Sequence, residues 1–116
     1  MSQHSSLSPE RWAQFSLDQQ ILMIGNEMNR AQAGLRRTEV PSYRLACERV
    51  LRLTDLTVKV NERRSLRREL LRWRDLVAAL YIAPEPSLVE HREAFRALLM
   101  LSGEASRQIP FVLGTE

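Results

Sequence analysis

Apolar residues recur with the period of an α-helix over most of this chain. Leu17, Ile21, Ile24, Met28, Ala31 and Leu35 fall three or four positions apart, which aligns them as one stripe on a helix of about 18 residues. Ser16-Leu17-Asp18-Gln19 stands just before it: the serine hydroxyl can accept from an early backbone N–H while the glutamine reaches back, as in a capping box. Gly34 is the expected stop. Pro41 then marks the start of a second helix reaching about Val60. Tyr43, Ala46, Cys47, Val50, Leu53, Thr57 and Val60 line its inner face, and Leu45, Leu51, Leu56 and Val58 widen it. At 100° per residue this apolar arc covers roughly 240°, so the second helix is expected to be the most central. Its polar strip, Arg44, Glu48, Arg52, Asp55 and Lys59, alternates in sign at the spacing of helix neighbours.

A third helix is predicted from about Glu62 to Ile82. Leu66, Leu70, Trp73, Val77 and Leu80 form its seam, in the four-three rhythm that packs one helix on another, and Trp73 is expected to face the first and second helices. Pro84 and Pro86 break it. Ser87-Leu88-Val89-Glu90 opens a fourth helix through Phe95, Leu98 and Leu99, with Gly103 as its cap. Upstream, Ser8-Pro9-Glu10 starts a short helix that carries Trp12 across the others. The expected fold is all-α: an antiparallel up-down four-helix bundle with a short N-terminal helix and an extended C-terminal tail. Residues 1–7 are expected to be disordered, 8–103 to form the bundle, and 104–116 to be the tail, with Ile109 to Leu113 as a strap.

Composition adds limits. A chain of 116 residues, 44% hydrophobic, suits one domain with one core. Basicity is almost all arginine, 16 Arg to one Lys, at a net charge of only +3. Cys47 is the single cysteine, which excludes an intrachain disulfide and a cysteine-based zinc site. No signal-peptide pattern and no membrane-length apolar run is present, so a cytoplasmic protein without a membrane partner is expected.

Three stretches, SLDQQILMIGNEMNRA (16–31), ACERVLRLTDLT (46–57) and RRELLRWRDLVAALY (67–81), together resemble a family of small bacterial all-helical proteins. The shared order is S-L-x-x-Q, then E-x-x-R-A, then E-R-x-L-x-L-x-D-L-T, then R-E-x-x-R-x-R. The resemblance spans about Trp12 to Tyr81 and implies a bacterial source and a helical bundle; it implies no activity. The acidic, aromatic loop associated with that family after its third helix is here Pro84-Glu85-Pro86.

Two charged constellations are candidates for function. Residues 62–74 hold six Arg and two Glu, a net of +4 against +3 for the whole chain, so the positive charge is local, as a nucleic-acid footprint requires. Arg64, Arg67, Arg68 and Arg72 nevertheless fall opposite the Leu/Trp seam, where solvent belongs, and no aromatic is interleaved for base stacking. A solvated face is the favoured reading. The second constellation is Glu27, Arg49, Glu69 and Arg74, all in or beside apolar arcs. Charges removed from water must be paired, so these four are expected to form a buried ion-pair network. A small-anion site on Arg49 and Arg74 is the rarer use of such a set.

Catalytic patterns fail on particular residues. His4 lies in the polar N-terminus, His91 is expected at the surface or an interface, and Cys47 in the core. A di-iron Glu-x-x-His would need an acid where Leu88 stands. The arginine of helical HEPN ribonucleases would fall at 84–86, which are Pro84, Glu85 and Pro86. No glycine-rich phosphate loop exists. No catalytic residue, cofactor or metal is expected. The resulting expectation is a non-catalytic interaction or regulatory module with a protein partner or a second copy, dimerising through the fourth helix and tail. A nucleic-acid-associated protein using the third-helix arginines is the alternative, and a small-anion-binding module the third reading.

Overall fold

The computed structural model describes residues 7–114. The disorder expected for residues 1–7 concerns positions outside this range, except Leu7, which is half-buried and packs against the core. The fold is all-α. Its elements are α1 (Pro9–Trp12), α2 (Leu17–Arg36), α3 (Val40–Val60), α4 (Arg64–Ile82), α5 (Leu88–Leu99), α6 (Gly103–Ser106) and α7 (Ile109–Val112). Among the described residues there is no strand. Helix α2 packs on α3 and α5, α4 packs on α3 and α5, and α1 packs on α3.

The starts follow from capping chemistry. Ser8 accepts from the Arg11 N–H ahead of α1, and Ser16 and Gln19 form the reciprocal capping box of α2. Ser87 caps α5 through the Glu90 N–H. The apolar stripes become the core: Ile21, Ile24, Met28, Val50, Leu53, Leu70, Val77, Phe95 and Leu98 are all buried. Trp73 is buried as its seam position requires, but its indole N–H turns to α5, donating to the Ala94 carbonyl at 2.7 Å. It therefore does not face only the first two long helices.

The ends are made differently from the sequence expectation. Gly34 does not stop α2, which continues to Arg36. Its missing Cβ serves packing: a methyl there would lie 3.3 Å from the backbone nitrogen of Tyr43 in the first turn of α3. The stop is a Schellman motif, in which the Thr38 N–H donates to the Leu35 carbonyl at 3.0 Å and the Glu39 N–H to the Gly34 carbonyl at 2.8 Å. Thr38 holds the left-handed position at φ 56°, where glycine is usual and a β-branched residue is strained. Gly103 is no C-cap either. It opens α6 behind Ser102, whose hydroxyl accepts from the Ala105 N–H.

Arginine side chains close two other helices. Arg67 of α4 donates to the carbonyls of Val58, Lys59 and Asn61 at the end of α3. Arg44 of α3 donates to the carbonyls of Tyr81 and Ala83 at the end of α4, at 3.2 and 2.9 Å. Each guanidinium answers carbonyls that have no partner within their own helix and meets the negative end of its dipole. The tail is helical rather than extended and is docked. Leu113 is buried, its carbonyl accepts from Arg92, and the Val112 carbonyl accepts from Gln32 at 3.4 Å. Ser102 bonds Asp18 across the same edge.

Thr38→Gly removes the left-handed strain while keeping both Schellman bonds, so it is expected to raise stability by about 1 kcal/mol. Denaturant melts that show no gain would mean that the Thr38 hydroxyl bond to the Arg37 carbonyl offsets the strain.

Candidate functional site

The four residues expected to form one buried network fall into three separate ion-pair groups. Glu27 is 2% exposed and accepts from Arg49 Nε at 2.8 Å and from Arg30 Nη1 at 3.0 Å. This half of the expectation holds, with Arg30 as a member the periodicity did not single out. Arg74 instead forms a fork on Asp55, at 2.6 and 3.2 Å, on the other flank of α3. Glu69 is a correction: it is 54% exposed and meets only Arg72, one turn away at 3.6 Å. Its position on the apolar side of α4 faces the open groove towards α5, so nothing covers it. Arg49 and Arg74 are thus committed to different acids on different flanks and do not converge on one anion.

The basic face is also smaller than its arginine count. Arg67 is turned inward to the end of α3, which leaves Arg64, Arg68 and Arg72 exposed.

A buried polar strut went unread in the sequence. His91 is fully buried, not at a surface. Its Nε2 lies 2.9 Å from the Met28 carbonyl and its Nδ1 3.0 Å from the Tyr43 hydroxyl. A carbonyl can only accept, so Nε2 carries the proton and Nδ1 accepts from Tyr43. The ring therefore links α5 to α2 and α3 in one neutral tautomer. Burial pulls the His91 pKa below its ordinary value, with the Met28 carbonyl opposing. Burial likewise pushes the neighbouring Cys47 thiol up to about 11, with the nearby Tyr43 acting the other way. The thiol stays protonated near neutrality, when only the thiolate is a strong nucleophile. With His91, Tyr43 and Cys47 all at 0% exposure, the trio joins helices and presents no reacting atom to solvent. Counting His91 as one histidine on a mixed face could not reveal it, because its partners lie 48 and 63 residues away.

A second buried set holds α1. Trp12 donates to Thr57 Oγ1 at 3.0 Å, and Gln20 bridges the carbonyls of Trp12 and Phe15 to the Asn61 amide. Every long polar group here is answered, as burial requires.

The open chemistry lies between α4 and α5. Two hollows adjoin there. One of about 370 Å³ is lined by Leu76, Leu80, Glu90, Glu93 and Ala94. The other, about 230 Å³, is lined by Glu69, Arg72, Trp73, Leu76, Ala97 and Leu101. Leu76 belongs to both and is 54% exposed. The furrow exists because α5 sets the small Ala94 and Ala97, beside Glu90 and Glu93, opposite the larger apolar residues of α4. A further hollow of about 330 Å³ lies between α2, α5 and the tail, with Asn26, Asn29 and Gln108 on its walls.

No family model, no curated protein and no solved structure matches this chain. Among the described residues no helix is long and apolar enough to cross a membrane, and no three His, Cys, Asp or Glu side chains gather as a metal site.

Two measurements check the buried polar groups. Arg49→Met alone is expected to cost about 2–3 kcal/mol, below the range for a wholly buried pair because Arg30 still answers Glu27. In a cycle with Glu27→Gln the pair should couple by about 1–2 kcal/mol, whereas strict additivity would show that the 2.8 Å contact contributes nothing. For His91 the folded pKa is depressed, so the unfolded chain takes up the proton first as pH falls. Stability should be flat above the ordinary value of 6.5 and drop below it by up to about 1.4 kcal/mol per pH unit, until the folded pKa is reached. His91→Gln, whose amide can still donate to the Met28 carbonyl, should flatten that slope just below pH 6.5. An unchanged slope would assign it to other groups.

Proposed function

We propose that this protein is a non-catalytic interaction module whose contact surface is the α4–α5 groove. The observation that carries the reading is Leu76: a large apolar side chain, half exposed, set midway along a furrow floored by Trp73 and Leu80. Other large apolar side chains are exposed as well, Leu45, Ile82 and Phe111 among them, but Leu76 is the one that lies in both hollows. An apolar furrow between two helices, rimmed by charge, has the form by which amphipathic segments are held. The helix arrangement supports this reading. We take α2 to α5 as an antiparallel up-down four-helix bundle, because short connections join helices that pack in a ring. The α4–α5 side is its most open seam.

The arginine face favours the nucleic-acid alternative less than its composition does, since Arg67 is spent on capping and Arg72 has Glu69 beside it. A photo-cross-linking residue placed at position 76, with one at exposed position 104 as control, tests the reading in cells that make the protein naturally. Discrete protein adducts from 76 and none from 104 are expected. Absence of adducts at 76 would overturn it. So would tight RNA or DNA binding whose affinity falls steeply with salt.

A further inference from the structure

We infer that the occupant of the α4–α5 groove is a basic amphipathic helix of another protein. Its apolar side sits on Leu76 and Leu80, and its cations meet Glu90 and Glu93. The inference rests on the interaction-module reading and names the chemistry of the partner.

Charge selects the partner. The ionised side chains that line the groove are Glu69, Arg72, Glu90 and Glu93. Three acids and one arginine give its walls a net of −2, while the whole chain carries +3. The two ends are unlike. At one, Arg72 and Glu69 lie 3.6 Å apart and neutralise each other. At the Leu80 end, Glu90 and Glu93 are exposed one turn apart on α5, and Glu85 adds a third exposed carboxylate in the loop that joins the two helices. Among the described residues none of these three acids has an ion-pair partner. Arg92 and Arg96 do not line the groove. They belong, with Val89, to an adjoining hollow that shares Glu93, and Arg92 is turned to the Leu113 carbonyl. The negative charge is therefore local, on a chain that is otherwise basic. It repels phosphate polymers and anionic lipid at this surface, and it disfavours a second copy of the same groove, which would set like charge on like. A cationic segment is the partner it attracts.

The floor of the groove sets the form of that segment. Among the described residues there is no strand whose edge an extended peptide could join, so the occupant has to satisfy its own backbone bonds, as a helix does. Leu76 and Leu80 stand about 6 Å apart along α4, which matches apolar anchors three or four residues apart on a helix laid alongside. Glu90 and Glu93 stand about 4.5 Å apart along α5, so two cations one turn apart on the same helix answer both. Ile82 and Val89, 74% and 68% exposed, enlarge the apolar area at the acidic end. The 12 residues of α5 make a contact about 18 Å long, at the low end of specific interfaces. The complex is therefore a reversible one, with the carboxylates setting its register and Leu76 its anchor.

The probe is a displayed library of helical peptides about 16 residues long, roughly 24 Å, with randomised faces, selected against the full chain. Enriched peptides are then measured by fluorescence anisotropy. Their sequences should carry apolar residues three and four positions apart beside a row of Lys or Arg, and affinity should weaken as ionic strength rises. Glu90→Lys/Glu93→Lys and Leu76→Gln should each bind at least about tenfold more weakly. Glu10→Lys/Glu62→Lys, on α1 and in the α3–α4 loop, should bind as the wild type does. Exchanging the cations of a selected peptide for Glu should restore binding to Glu90→Lys/Glu93→Lys and to no other variant. Circular dichroism melts confirm that these surface variants are folded. Enrichment of neutral or acidic sequences, or of none, overturns the inference. So does binding that ignores positions 76, 90 and 93, or wild-type self-association that Leu76→Gln abolishes, which would make a second copy the occupant. Neutral or acidic peptides that still require Leu76 would retain the interaction module and reject the basic partner.

Discussion

A carboxylate almost wholly removed from water has to be answered by a cation, and this requirement at Glu27 organises the centre of the molecule. Glu27 sits on α2 at its seam with α3, where Arg49 Nε reaches it at 2.8 Å. Sliding either helix by one turn, about 5.4 Å, would strand the acid in an apolar seam. The pair therefore selects one register for α2 against α3, and Gly34 allows the two backbones to close at the other end. His91 does for α5 what Arg49 does for α3. By donating to the Met28 carbonyl and accepting from Tyr43, it ties the fourth long helix to the first two. Apolar burial drives the association, but it is nondirectional; these bonds choose among the packings that burial alone would allow.

Arginine has three different structural uses here. Arg49 neutralises a buried acid, Arg74 forks onto Asp55 nearer the surface, and Arg44 and Arg67 close helix ends. The last use explains how α3 and α4 can end without a glycine. A planar fork of donors can satisfy several carbonyls at once, which a lysine ammonium does less well. Charge density along α4 is accordingly a poor guide to binding, because part of it is directed back into the protein.

The open seam between α4 and α5 follows from the same economy of side chains. Small residues on α5 let its backbone approach the Trp73 indole, and beyond that contact they leave a furrow. Leu76, at its lip, is left half exposed.

Local chemistry by itself determined the all-α class, the helix starts and the buried stripes. Ser8, Ser16 and Ser87 cap the helices they precede, and the seam from Leu66 to Leu80 is buried throughout. Such features depend on hydrogen bonds within one turn and on a 3.6-residue period, both of which are written into neighbouring residues. Glu27 with Arg49 was also legible, since a charge inside an apolar arc demands a partner. What only the tertiary structure decided was which residues lie opposite each other. Glu69 and Leu76 belong to the apolar side of α4, yet both are exposed because α5 presents alanines there. His91, by contrast, is buried because Met28 and Tyr43 meet at its ring. Gly34, Thr38 and Arg67 likewise take their roles from the next helix. Periodicity states which way a side chain points along its own helix; only packing states what stands in front of it.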